Sequence, residues 1–253
     1  MLTFGTIAEG ETDQAVIENL ILGYFEEQAD DVWVSPVQPL RNQGSHGGWT
    51  NVFNSLRRLD YKLALRANQY LVIHIDTDVQ EHAGFDVPMR VGMRECTVDE
   101  RVQHVVDRIK REMDATFFRE NEHRFLFAVC VDSMECWLLP LLYTERKDAK
   151  KAGKTTGCLD AANHKLRTLD LDALGTPEKK FPDAYERVSH GFLKRKTLLT
   201  HRAKNPSLNL FIHQLDALQA RISSSAPAAP PIANDADSLS DPPGEDGDPP
   251  KSP

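Results

Sequence analysis

The apolar residues of this chain fall into two rhythms. Short, largely apolar runs occupy residues 2–8 and 124–131, and Leu71, Val72, Ile73 and Ile75 form a third run within residues 70–78. Runs with almost no polar alternation suit strands covered on both faces, as in a parallel sheet. Residues 31–38 alternate more weakly, and Pro36 marks that strand as an edge or an early end. Between the runs the spacing changes to i, i+3, i+4. Val16, Ile17, Leu20, Ile21, Tyr24 and Phe25 make one such stripe, and Val52, Phe53, Leu56 and Leu63 another within a single helix from Thr50 to about Asn68. Val98, Val102, Val105, Val106, Ile109, Met113 and Phe117 form a third, and Leu208, Phe211, Ile212, Leu215 and Leu218 a fourth. Thr97 to Glu100 matches a capping box before the third stripe, and Thr12 reads as the N-cap of the first. Strand alternating with helix predicts an α/β fold: a Rossmann-like, mainly parallel sheet flanked by helices.

The ends of the strands carry the chemistry. Glu9-Gly10-Glu11 follows the first run, with Asp13 close behind; Asp76-Thr77-Asp78 closes the central one; Asp132, Ser133 and Glu135 follow the last. Side chains at i and i+2 of a strand share a side, so Asp76 and Asp78 are expected to converge at the carboxyl end of the sheet, where open α/β folds bind ligands. A single acidic strand end is ordinarily a solvated loop or a helix cap. Three on parallel strands would line one edge with Glu9, Asp76, Asp78 and Glu135, an arrangement that requires cations. A hard divalent ion, Mg²⁺ or Mn²⁺, suits such oxygen ligands.

Charge changes the picture further. The chain carries -8 overall, yet residues 1–144 hold 13 basic and 23 acidic residues, and residues 145–204 hold 15 basic and 8 acidic. An acidic part bearing the carboxylates is thus followed by a basic part suited to a polyanion, or simply to a solvated helical surface. The 31 residues from Ser223 contain eight of the 15 prolines, six acids and one lysine, a composition that predicts disorder. Cys96, Cys130, Cys136 and Cys158 show no C-x-x-C spacing, and Cys130 reads as a small buried hydrophobe. With no basic and apolar leader and no apolar run near the roughly 18 residues of a membrane span, the expectation is a soluble, reduced, cytoplasmic protein.

The order Glu9-Gly10, then Asp76-x-Asp78, then Ser133-x-Glu135-x-Trp137-Leu-Leu139 resembles the TOPRIM fold, in the branch shared by OLD-type nucleases and small stand-alone relatives of bacterial defence and mobile-element genes. The resemblance covers residues 1–142 and, more weakly, Asn205-Pro-Ser207 with the helix after it. It implies a catalytic core over 1–142, to which charge and composition add a basic helical extension packed on the core over 143–222 and a disordered tail over 223–253. It also implies hydrolysis of phosphodiester bonds with Mg²⁺ or Mn²⁺, as two ions. Glu9, Asp76 and Asp78 would be catalytic, and Glu9, Asp13, Asp76, Asp78 and Glu135 would ligate metal. Asp13 stands where a glutamate is commoner. Ser133 would orient a ligand or touch phosphate, and Lys179, Lys180, Lys194 and Lys196 compete for an assisting lysine. Implied partners are nucleic acid, DNA ahead of RNA, and a separate ATPase, since OLD proteins carry an ATPase that this chain lacks; a homodimer and no membrane complete the expectation. Gly153-Lys154-Thr155 is no P-loop, because the first glycine would fall at Asp148. The alternative is a non-catalytic binding or regulatory subunit. His46, in the glycine-rich loop from Gln43, is a further phosphate-facing candidate, and Phe181, Tyr185 and Phe192 are candidates for base stacking or for the core.

Overall fold

A computed structural model describes residues 1–40 and 47–225. Gln43 to His46 and the tail from residue 226 lie outside the described residues. The four long strands, β1 (Leu2–Ile7), β2 (Val32–Gln38), β3 (Tyr70–Asp76) and β6 (Phe125–Cys130), form one all-parallel sheet in the order β2-β1-β3-β6. A two-stranded antiparallel hairpin, β4 (Arg90–Val91) and β5 (Arg94–Glu95), stands apart, turning at Gly92. The α/β class and the parallel sheet flanked by helices are therefore as the hydrophobic rhythm predicts. β2, with Pro36, is an edge strand.

Both sheet faces are covered. On one face α1 (Glu11–Tyr24) packs with six helices from further along the chain, α6 (Glu135–Leu142), α7 (Ala149–Ala152), α8 (Cys158–Thr168), α9 (Pro182–Ser189), α10 (Arg195–His201) and α11 (Pro206–Ser225), in a single apolar cluster. The opposite face is closed by α2 (Trp49–Arg57), α3 (Asp60–Ala67), α4 (Val98–Arg111) and α5 (Ala115–Asn121). The side-chain alternation sorts Leu71, Ile73 and Ile75 of β3 to the second face and Val72 to the first. His74 and Asp76, two and four positions beyond Val72, belong to the α1 face.

This topology creates a crevice. α1 leaves β1 toward one edge of the sheet to reach β2, whereas the chain leaving β3 crosses to the other face and continues to β6. The order reverses between β1 and β3, and ligands of open α/β sheets bind outside the carboxyl ends at such a reversal. Glu9 follows β1 and Asp76 ends β3.

Several local expectations fail for identifiable reasons. The helix expected from Thr50 to Asn68 is two, because Leu59 adopts a left-handed conformation (φ 65°) that shifts the stripe and leaves Leu63 exposed. The long third helix likewise ends at Arg111; Asp114 caps α5 by accepting from the amides of Thr116 and Phe117. Thr12 is not the N-cap: Gly10 holds that position and Thr12 lies inside the helix. The capping box at Thr97 and Glu100 is present with both bonds. Tyr185 and Phe192 are fully buried and cannot stack on bases, while Phe181 is exposed. Cys136 and Cys158, expected as reduced thiols, form a disulfide that ties α6 to α8; their spacing of 22 residues carries no recognisable motif. Among the described residues no helix is long and apolar enough to cross a membrane.

The start of α6 is locked from behind. Asn205 precedes Pro206, caps α11 by accepting from the Leu208 amide, and donates through Nδ2 to the Cys136 carbonyl at 3.1 Å. Ser207 accepts from the buried Trp137 indole at 2.8 Å and from the Val131 amide. Asn205→Ala should cost about 2 kcal/mol, since it removes a cap and strands a buried carbonyl. The expected reading is a lower urea midpoint at unchanged slope, with Asn205→Asp recovering the capping part; an unchanged midpoint in the alanine variant would refute the lock.

Candidate metal centre

The crevice is built from loop backbone. Glu9 is half-buried just past β1, and one carboxylate oxygen accepts from the Asp76 amide at 2.7 Å, so the ends of β1 and β3 are joined by this side chain. Its carbonyl accepts from the Gly48 amide at 3.0 Å, and a side chain at Gly47 would come within 2.7 Å of that carbonyl oxygen. Glycine there allows close approach to the acidic turn. Thr77 stitches β3 to β6: its amide donates to the carbonyls of Cys130 and Asp132, and its hydroxyl accepts from the Asp132 amide at 2.9 Å and from Arg101 at 2.6 Å. Asp132 takes a left-handed conformation (φ 71°), which aspartate tolerates better than most residues, and turns the chain into α6 with Glu135 in its first turn.

The five predicted acids meet here, in unequal environments. Asp76 is 6 % exposed, Asp13 4 % and Glu135 1 %, whereas Asp78, past the end of β3, is exposed as a residue although its carboxyl is partly shielded from water. Burial, followed by the charges of Asp76, Asp13 and Asp78, pushes the Glu9 carboxyl well above its ordinary range. Burial also raises Asp76, to about 6, against the opposing influence of His74. Asp78 is raised as well, by burial first and by Glu135 among its neighbours. One oxygen of Asp76 is buried without a hydrogen-bond partner. Carboxylates short of positive charge, with an orphaned buried oxygen among them, are the donor set a hard cation fits.

Glu135 differs. Burial, the largest single influence, would raise it, but the charge of Lys180 together with hydrogen bonds from Lys180, Ser133 and Tyr185 overcomes burial and holds the carboxyl below its ordinary range. Lys180 Nζ lies 2.7 Å from Glu135 Oε1, and the Tyr185 hydroxyl donates to the same oxygen. The field of Lys180 also reaches Asp13, Asp76 and Asp78. The turn that presents it needs Gly175 (φ 121°): a side chain there would approach the Lys179 carbonyl oxygen to 2.2 Å, and Gly175 pairs with Lys180 as a single β-bridge.

Of the four competing lysines, the structure brings only Lys180 among the acids. Lys194 pairs with Glu26 at 2.9 Å, Lys196 lines a surface hollow with Glu26 and Glu27, and exposed Lys179 lies over the Phe181 ring. Other basic residues of the extension are also engaged, Lys151 with Asp148, Arg187 with Asp172 and Arg202 with Asp216. Ser133, half-buried, serves Glu135. The residues missed in the sequence are His74 and Tyr185. His74 is a polar residue inside an apolar strand, two places before Asp76 on the same face, and that parity was the available signal. Tyr185 gave none, because its partner is 50 residues away.

Comparison with known proteins identifies no relative. No protein-family model, curated protein or solved structure matches the chain.

Two outcomes follow from this electrostatics. Lys180→Met leaves Glu135 buried without its cation and should cost about 2–4 kcal/mol at pH 7. The deficit should shrink on acidification as Glu135 takes up a proton, and Glu135→Gln should suppress it in the double variant; urea curves of the three variants would reveal an additive pair if the ion pair were inert. In the metal-free protein, folded Asp76 and Glu9 bind protons at pH values where the unfolded carboxyls have lost them. Stability should therefore rise as pH falls from about 7 to 5, and millimolar Mg²⁺ or Mn²⁺ at pH 7 should raise the thermal midpoint. A midpoint that drops steadily over that window would contradict the raised pKa values.

Proposed function

We propose that the chain is a metal-dependent phosphodiesterase with a TOPRIM-like core, cutting nucleic acid at the crevice between β1 and β3. The observation that carries this reading is the gathering of Glu9, Asp76 and Asp78, from two parallel strands, at the topological reversal of the sheet. Their carboxyls are under-neutralised, as acids that await a cation are. Glu9, Asp76 and Asp78 would hold Mg²⁺ or Mn²⁺, which supplies positive charge for the phosphate oxygens and acidifies water in such sites. Asp13 and Glu135 stand behind this set, Asp13 beside His74 and Glu135 within the Lys180 and Tyr185 contacts. Glu9, with its carboxyl raised by burial and by Asp76, is placed to accept and return a proton. Lys180 places a fixed positive charge beside the acids, suited to the developing charge of a phosphate. Exposed Lys179, one residue away, extends this charge toward a nucleic-acid backbone, which gives salt-sensitive binding with little dependence on sequence. A bacterial anti-phage role, a cytoplasmic setting and a separate ATPase partner belong to the same reading.

One observation favours a second reading. Lys180 already neutralises Glu135, so the edge is held in part by its own cation, as in a binding subunit that keeps the shape without the chemistry. Such a subunit need not bind Mg²⁺ or Mn²⁺, which calorimetry measures directly.

The deciding experiment is cleavage of single- and double-stranded DNA and of RNA in Mg²⁺ and Mn²⁺. Asp76→Ala and Asp78→Ala should each lower the rate at least about 100-fold, beyond the 10–100-fold typical of outer-sphere changes. Metal-dependent cutting that survives both substitutions would overturn the assignment.

A further inference from the structure

Behind the acidic edge lies a second set of donors of a different chemical kind. Asp76 and Cys130 are register partners on β3 and β6, and His74 lies two residues before Asp76, so all three side chains occupy the face covered by α1. One ligand atom from each, the His74 ring nitrogen, an Asp76 oxygen and the Cys130 sulfur, lies within 4.8 Å of the others. His74 and Cys130 are wholly buried. Met134 places its thioether sulfur 3.9 Å from the Cys130 sulfur, and Asp13 places an oxygen 3.9 Å from His74 Nδ1.

The hydrogen bonding of this group is incomplete. Neither ring nitrogen of His74 has a hydrogen-bond partner, and one oxygen of Asp76 has none either. His74 Nε2 lies 3.2 Å from Asp76 Oδ1 but out of line for a hydrogen bond. The His74 ring nitrogens face the two carboxylates, Nε2 toward Asp76 and Nδ1 toward Asp13, yet neither completes a hydrogen bond, and an unmade bond to a buried donor costs about 1–3 kcal/mol. A cation shared by the His74 ring, the Asp76 oxygen and the Cys130 sulfur would satisfy these atoms together.

We propose that His74, Asp76 and Cys130 form a buried site for a borderline-soft divalent ion of the zinc class, distinct in chemistry from the oxygen-lined edge. Zinc takes nitrogen, thiolate and carboxylate ligands at about 2.0–2.3 Å, which in a tetrahedron sets ligand atoms roughly 3.3–3.8 Å apart. Closing from 4.8 Å therefore asks for side-chain shifts of only about 1 Å. Thiolate and imidazole select zinc over magnesium, which prefers oxygen and retains its waters. On binding, the Cys130 S–H bond breaks, its proton passes to solvent and a sulfur–metal bond forms, with no change of oxidation state. The site shares Asp76 with the edge but does not require the phosphodiesterase reading.

The test is to strip the full chain with a chelator and titrate it with Co²⁺, a coloured stand-in for zinc. The proposal expects one tightly held Co²⁺ per chain with a thiolate-to-cobalt charge-transfer band, displaced by Zn²⁺ and not by excess Mg²⁺. Cys130→Ala should abolish the band and weaken Zn²⁺ binding at least tenfold, and Cys96→Ala, a control for the other free thiol, should preserve both. The wild-type spectrum keeps the question decidable should Cys130→Ala not fold. No thiolate band, a band that survives Cys130→Ala, or displacement by Mg²⁺ overturns the site. Mg²⁺-dependent cleavage without the band would sink this inference alone; the band without cleavage supports it and counts only against the phosphodiesterase.

Discussion

Carboxylates crowded at the end of a parallel sheet repel one another in a medium too poor in water to screen them, and the rest of this molecule is arranged around that repulsion. Burial and mutual charge push Glu9 and Asp76 toward their protonated forms. Such a cluster would be costly as a purely structural device, since an apolar replacement of similar volume would do better. Its retention makes physical sense where positive charge arrives from outside.

The chain answers the repulsion in three ways, each from a different part of the fold. The Asp76 amide donates to Glu9, so backbone dipole stands in for charge. Lys180, carried in by a turn that Gly175 permits, neutralises Glu135 and lends its field to the other acids. Tyr185 and Ser133 complete the shell of Glu135. The helices after residue 142 are thus no mere appendage to the sheet: α9 and the turn before it supply side chains to the edge, and α11 braces the start of α6 through Asn205 and Ser207.

How much of this was legible in the chain depends on the range of the interaction. The strand runs, the capping box at Thr97 and the apolar stripe of α11 were readable because each is decided within a few residues. Glu9, Asp76, Asp78 and Glu135 were readable because strand ends of a parallel sheet must meet at one edge. The break at Leu59 was not, since nothing local in Leu-Arg-Arg-Leu-Asp announces a left-handed residue. Nor was the assignment of Lys180 over Lys179, two neighbours of identical chemistry whose roles part only through the direction of a turn.

The sequence by itself determined the α/β class, the covered strands and the identity of the acids at their ends, because hydrophobic period and strand parity are local properties of the backbone. Tertiary structure decided which charges share a space. It put His74 between Asp13 and Asp76, set Cys130 beside Asp76, joined Cys136 to Cys158 and turned Tyr185 from a stacking candidate into the partner of Glu135. Those pairings depend on how helices from distant segments close over one face of the sheet, and electrostatic energy follows that distance and burial rather than position along the chain.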